Sequence, residues 1–213
     1  KFDTKEAEVD ITVRRGVTVK GRILDPEGKP VARARVLARL PAALLGYSGL
    51  NPSEARDGRF ELRGCDPEKT YPVYFLDPKN RMGALVEIAG KGDEPVTVKL
   101  APCGSAEVRF LDADGIPRPN YRPNPFGLQL LVQPNLPVHV TPAGLRVSEN
   151  DMIWIAALDP LNHDQAPTAD AQGLLTLPAL IPGAKYRISE RGVEKEFVIE
   201  SGKTVKLPDI PTR

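Results

Sequence analysis

Two histidines, two cysteines and one tryptophan in 213 residues leave little material for chemistry. His139, His163, Cys65 and Cys103 lie far apart in sequence, so no ligand spacing of the zinc type is available. His163 and Asp164 are adjacent and would point to opposite faces of a strand. Ser53 and Ser148 sit in ordinary polar surroundings, with no glycine-rich nucleophile elbow and no phosphate-cradling loop. Charge of one sign is also missing: 29 basic and 28 acidic residues, mixed along the chain, give a net +1. That balance gives nucleic acid or an anionic membrane no field to follow. The longest apolar runs, Met152 to Leu158 and Leu128 to Val132, are strand-sized, well short of the ~18–20 residues that span a bilayer. The sequence therefore predicts no catalysis, no cofactor, no nucleic-acid partner and no membrane insertion.

What the chain has in quantity is proline, 22 residues, beside a hydrophobic content of 41%. The first argues for turns and edge strands over long helices, and the second is enough to build a core. The same pattern occurs twice. Asp25-Pro26-Glu27-Gly28-Lys29-Pro30 and Asp112-Ala113-Asp114-Gly115-Ile116-Pro117 each close a strand-like run. Gly58, Phe60, Leu62, Pro67 and Tyr71 recur without a gap as Gly173, Leu175, Leu177, Pro182 and Tyr186. Thr97-Val98-Lys99-Leu100 recurs as Thr204-Val205-Lys206-Leu207. An internal repeat fixes the architecture before anything else does.

Within the repeats, period-two alternation predicts strands over 17–24, 31–40, 59–63, 71–76, 84–89 and 95–100. In the second repeat it predicts 106–111, 174–177, 184–189, 194–199 and 204–207. Short strands separated by turn signals specify antiparallel sandwiches. The fold expected is all-β, as two tandem antiparallel Ig-like or transthyretin-like β-sandwiches over residues 16–103 and 104–213. Ala7 to Val13 also alternates, and 1–15 reads as the last strand of a preceding module or a linking strand. With Lys1-Phe2 in place of a methionine, the chain reads as a piece of a longer protein.

The repeats differ in their middles. The interval from Gly28 to Gly58 is shorter than that from Gly115 to Gly173, and the extra residues form an insertion at about 119–169. It is either a set of binding loops or an extended hairpin that widens the sheet. Tyr121, Arg122 and Phe126, among its prolines, are the candidate ligand-binding residues: exposed rings there would stack on a sugar or grip a peptide. Alternatively the rings staple the loop to the sandwich. Trp154, in Met152-Ile153-Trp154-Ile155-Ala156, reads as core. Asp112 to Gly115 superficially matches the start of a calcium loop, but Pro123 stands where the closing glutamate belongs, so a turn is expected. Cys65 and Cys103 are either separate packed thiols or a disulfide tethering the junction between the modules.

Val19 to Asp25, Gly28-Lys29-Pro30-Val31 and Ala34-Arg35-Val36 resemble the opening of carboxypeptidase regulatory-like domains, which are transthyretin-like sandwiches. Gly173 to Leu177 with Leu180 to Tyr186 is similar to that family's second hallmark. Cys65-Asp66-Pro67-Glu68 departs from it in the first repeat. In the second, Val108 stands where the first has Gly21, and the alanine-rich strand is lost in the insertion. The resemblance implies a non-catalytic accessory of an extracytoplasmic bacterial protein, periplasmic, surface-borne or secreted. Such a module is a spacer, a glycan or protein binder, or a sensor beside a membrane-bound peptidase or receptor. Its first partners would be other domains of the same longer chain.

Overall fold

The computed structural model describes residues 15–38, 53–123, 128–131, 139–140, 146–147, 152–154 and 167–212, with side chains omitted at 139–140, 146–147 and 152–154. The strand expected over Ala7 to Val13, together with Phe126, His163 and the packing of Trp154, lies outside what is described. Every regular element among the described residues is a strand. The first repeat holds β1 (Val17–Leu24), β2 (Arg33–Ala38), β3 (Ser53–Arg56), β4 (Arg59–Cys65), β5 (Thr70–Asp77), β6 (Met82–Ala89) and β7 (Val96–Lys99). After β8 (Ala101–Pro102), the second holds β9 (Gly104–Leu111), β10 (Leu128–Leu131), β11 (His139–Val140), β12 (Arg146–Val147) and β13 (Met152–Trp154). Then come β14 (Leu174–Leu180), β15 (Lys185–Glu190), β16 (Val193–Val198), β17 (Thr204–Lys206) and β18 (Ile210–Pro211).

The strand pairing repeats. β1 lies between β4, antiparallel, and β7, parallel; β9 lies between β14 and β17 in the same senses. β2, β5 and β6 pair in sequence, and β10, β15 and β16 do the same. Each repeat thus puts two sheets face to face, an all-β sandwich. In the first, the β3–β4 hairpin joins them into one eight-stranded path. Within the insertion, β13 pairs with β10 and widens the second sheet.

The shared turns explain why the shared letters matter. In the first turn the Lys29 N–H donates to Asp25 Oδ1 at 2.8 Å, and the Gly28 N–H to the Asp25 carbonyl at 3.0 Å. In the second, Asp112 Oδ1 accepts from the N–H groups of Asp114 and Ile116, both at 2.9 Å. That carboxylate oxygen is engaged in holding its own turn, the ordinary use of aspartate there. Gly58 and Gly173 both sit at positive φ, +67° and +69°. A Cβ on Gly58 would lie 2.9 Å from the Ile23 carbonyl oxygen, and one on Gly173 2.7 Å from that of Phe110. Tyr71 and Tyr186 fold back alike: their hydroxyls accept from the N–H of Asp66 at 2.8 Å and of Ile181 at 3.0 Å.

One expectation needs correcting. The Thr-Val-Lys-Leu motifs are not structurally equivalent. Thr97 lies opposite Arg22, near the end of β1, whereas Thr204 lies opposite Ser105, at the start of β9. The slip is an even number of residues, so it keeps the same side chains facing inward. β18 then fills the vacated stretch beside Phe110, with Ile210 fully buried. Both hairpins return to the same place, Ile88 opposite Tyr71 and Phe197 opposite Tyr186, but the connection onward is residues 89–96 before Thr97 and only 198–203 before Thr204.

The linker from Leu100 to Gly104 joins the repeats, with Leu100 in the first core and Cys103 against the second, but the contact between them is wider. In fact β5 is buried along nearly its whole length, from Tyr71 to Asp77. Val73 and Phe75 face the first core, which also holds Val19, Ile23, Val36, Phe60 and Leu62. Leu37, Tyr74 and Leu76 face the other way and belong to the second core, with Val108, Leu130, Leu177, Ile181 and Ile199. The Tyr74 hydroxyl donates to the Leu131 carbonyl at 3.5 Å. One face of the first repeat is therefore a wall of the second core.

Candidate functional site

Aligning the repeats on Tyr71 and Tyr186 sets Val73 against Ile188 and Phe75 against Glu190. In the first repeat the Phe75 ring meets Phe60 edge-on, centroids 5.1 Å apart at 67°. The second has Leu175 and a carboxylate in those places, and Glu190 is only 5% exposed. An ionised carboxylate is costly to bury without partners. Its partners include Tyr121, whose hydroxyl donates to Glu190 Oε1 at 2.9 Å, and Arg191, whose Nε approaches the same oxygen at 3.6 Å.

Tyr121 arrives from the base of the insertion. That base is closed by two backbone bonds, the Asn120 N–H to the Ala169 carbonyl at 3.0 Å and the Ala169 N–H to the Tyr121 carbonyl at 2.9 Å. The Tyr121 ring packs on Phe110 at 4.9 Å, and the Arg118 guanidinium lies 4.9 Å from its centroid. Arg118 also donates through Nη1 to Thr212 Oγ1 at 2.9 Å, and that hydroxyl donates to the Leu111 carbonyl at 2.8 Å. Burial pushes the Tyr121 hydroxyl above its ordinary pKa, and the Glu190 bond and charge push the same way. Arg191 and Arg118 partly oppose them. The hydroxyl is thus held protonated as a donor. The cluster ties insertion, hairpin and C-terminal segment together.

Of the candidate residues, the structure brings Tyr121 into this cluster, with its ring and hydroxyl already in contact with the protein. Arg122 is exposed beside it. Glu190, Arg118, Arg191 and Thr212 were not anticipated. A position-by-position comparison of the repeats would have found Glu190, as an acid in the slot of a core phenylalanine.

No disulfide joins Cys65 and Cys103. Cys65 is buried in the first core with its thiol towards the Leu62 carbonyl at 3.6 Å, and burial raises its pKa. Cys103 packs against the second core, so the two residues serve different clusters. Among the described residues no group of three or more His, Cys, Asp or Glu side chains could hold a metal, and no helix is long and apolar enough to cross a membrane.

No family model matches the chain, and no curated protein matches it. Among solved structures it is similar to the shaft pilin SpaA of Lactobacillus rhamnosus GG, at 11% identity and a TM-score of 0.29, covering 92% of this chain and 96% of that one. A streptococcal ancillary pilin gives 13% identity and a TM-score of 0.29, over 92% of this chain and 63% of its own. The pilus backbone protein of Streptococcus pneumoniae gives 11% and 0.24, over 91% and 64%. Scores of this size leave the fold to rest on the strand pairing, and the regulatory-like resemblance to rest on its residues.

Proposed function

We propose that this chain is a non-enzymatic structural module of a larger extracytoplasmic bacterial protein. In this reading, residues 16–103 and 104–213 are two sandwich modules held as one stiff spacer and protein-binding accessory. The observation that carries it is the sharing of the second core, where Leu37, Tyr74 and Leu76 of the first repeat lie buried. Left exposed, these side chains would form an apolar patch; docked, each contributes on the order of 1.5–3 kcal/mol. A junction of that kind resists bending, which a spacer requires and a pair of freely linked domains lacks. The regulatory-like resemblance supports the extracytoplasmic setting and the neighbouring domains as partners. Glycan recognition by the insertion gains no support from Tyr121, whose ring is taken up by Phe110 and Arg118.

The test is a distance distribution between spin labels at the two equivalent exposed turns, on Glu27 and Asp114, with Cys103 replaced by serine. A single narrow distribution is expected. A broad one, as from two modules on a hinge, would overturn the proposal.

A further inference from the structure

The near-neutral balance of the chain, net +1, conceals an uneven placement of its charge. On β1, β4, β3 and β2, the side chains facing away from the first core form rows across the strands. One row is all arginine: Arg22 lies opposite Arg59, Arg59 opposite Arg56, and Arg56 opposite Arg33. All four are exposed. Their backbones are spaced by about 5 Å, the separation of paired strands. The row passes from one sheet to the other where the β3–β4 hairpin joins them.

Like charges directly opposite on neighbouring strands are destabilising. Glu54 relieves one end of the row, with one oxygen 3.0 Å from Arg56 Nη2 and the other 3.6 Å from Arg33 Nε. Beside the row, Glu61 is shared between Lys20 at 3.9 Å and Arg63 at 3.1 Å. Arg22 and Arg59 form no ion pair among the described residues. The fold does not require this arrangement. Aligning Asp25 with Asp112 and Gly58 with Gly173 matches Arg22 and Arg59 to Arg109 and Leu174. Lys20, Glu61 and Arg63 match Glu107, Thr176 and Pro178. The second sandwich thus builds the same pairing, β9 between β14 and β17, without the basic excess.

We infer that the row Arg22–Arg59–Arg56–Arg33 is a binding surface for an acidic polysaccharide, one that carries carboxylates along a stiff chain of sugar rings. A guanidinium meets a carboxylate through two parallel N–H donors, a fit that lysine does not offer. A carboxylate laid between opposed arginines also removes their repulsion. The outward positions around the row are Thr18, Lys20, Glu54 and Glu61, none of them aromatic or aliphatic. The surface therefore lacks the apolar anchors that carry most protein–protein affinity. It also lacks a ring on which a neutral sugar would stack. An acidic sugar chain arrives with its carboxylates held on rings, whereas an acidic peptide loses the freedom of every long side chain it commits. The surface belongs to the first repeat and uses nothing of the insertion. The choice of a polysaccharide rests on the extracytoplasmic reading above; the arginine row does not.

The full chain is titrated calorimetrically at pH 7 with polygalacturonate, with neutral dextran and with poly-L-glutamate. Polygalacturonate is expected to bind, less tightly as salt is added, dextran not to bind, and poly-L-glutamate to bind more weakly. Arg22→Gln with Arg59→Gln should weaken polygalacturonate binding by about tenfold or more, from the charged hydrogen bonds removed. Arg109→Gln with Lys206→Gln takes the same charge from the second repeat and should leave binding unchanged. The first pair should keep or raise the melting midpoint, because it removes two opposed like charges, so that lost binding is not lost fold. The inference is overturned by a chain that ignores polygalacturonate, by equal weakening in both double variants, or by poly-L-glutamate binding as tightly. A narrow Glu27–Asp114 distribution would preserve the spacer reading in each of these cases, so the two failures are distinguishable.

Discussion

Removing one oxygen atom, by Tyr121→Phe, tests how the base of the insertion is held. The ring stays, so its packing on Phe110 and beneath Arg118 is unchanged. What is lost is the 2.9 Å bond to Glu190, a carboxylate that is 5% exposed. A hydrogen bond to a charged group contributes about 1.5–3 kcal/mol net, and losing it also leaves a buried acceptor short of a donor. Arg191 Nε remains 3.6 Å from the same oxygen, so the lower end of that range applies. For a chain of this size each kcal/mol lowers the melting midpoint by about 2–4 °C. Thermal and urea unfolding at pH 7 of the parent, Tyr121→Phe, Glu190→Gln and the double variant give the coupling directly. About 1–2 kcal/mol of coupling is expected. The sign with pH follows from the raised pKa of the Tyr121 hydroxyl. Its contribution is fully present below pH 10.0, the ordinary tyrosine value, and is lost as pH rises through the higher folded value. The reasoning is refuted by additive single and double variants, or by a Tyr121→Phe protein as stable as the parent.

Gly21→Val installs the residue that the second repeat carries as Val108, and should destabilise by about 1–3 kcal/mol or more through overpacking. The added Cβ would stand 2.3 Å from the Phe60 ring and 2.6 Å from the Val96 carbonyl oxygen. Adding Phe60→Leu, the second repeat's choice at Leu175, should recover part of the loss in the same melt. Leu76→Ala should cost about 2–5 kcal/mol, as for other buried leucines, and hydrogen exchange should rise in both repeats. Burial, and to a lesser extent Glu87, holds the Tyr74 hydroxyl at about 12. Its contribution should be intact below pH 10 and lost between about 10 and 12, as an absorbance titration against unfolding would record. A thiol reagent should leave Cys65 unmodified in the folded protein and find two thiols after denaturation without reductant.

Much of this was legible in the letters. The Asp-x-x-Gly turns, Gly58 and Gly173, and the folded-back tyrosines are local features, fixed by backbone geometry within a few residues, and they appear where the repeat puts them. Period-two alternation located the strands because one face of most of them meets water. It was less informative for β5, where Tyr71 to Leu76 is apolar throughout: such a run says that both faces are buried but not by what. Hence the shared wall was missed. The slipped register of β17 was hidden for a different reason. Identical letters fix which faces are apolar, whereas register depends on the length of the connection that delivers the strand, 89–96 in one repeat and 198–203 in the other. Glu190 was overlooked because a glutamate at a strand end reads as a solvated residue until its counterpart, Phe75, is placed beside it.

The central claim is that the two repeats form one body through a shared core, and differential scanning calorimetry of the whole chain tests it most directly. The account predicts one cooperative transition, with calorimetric and van't Hoff enthalpies equal, and Leu76→Ala shifting it as a unit. Two separable transitions, of which Leu76→Ala moves only one, would contradict it.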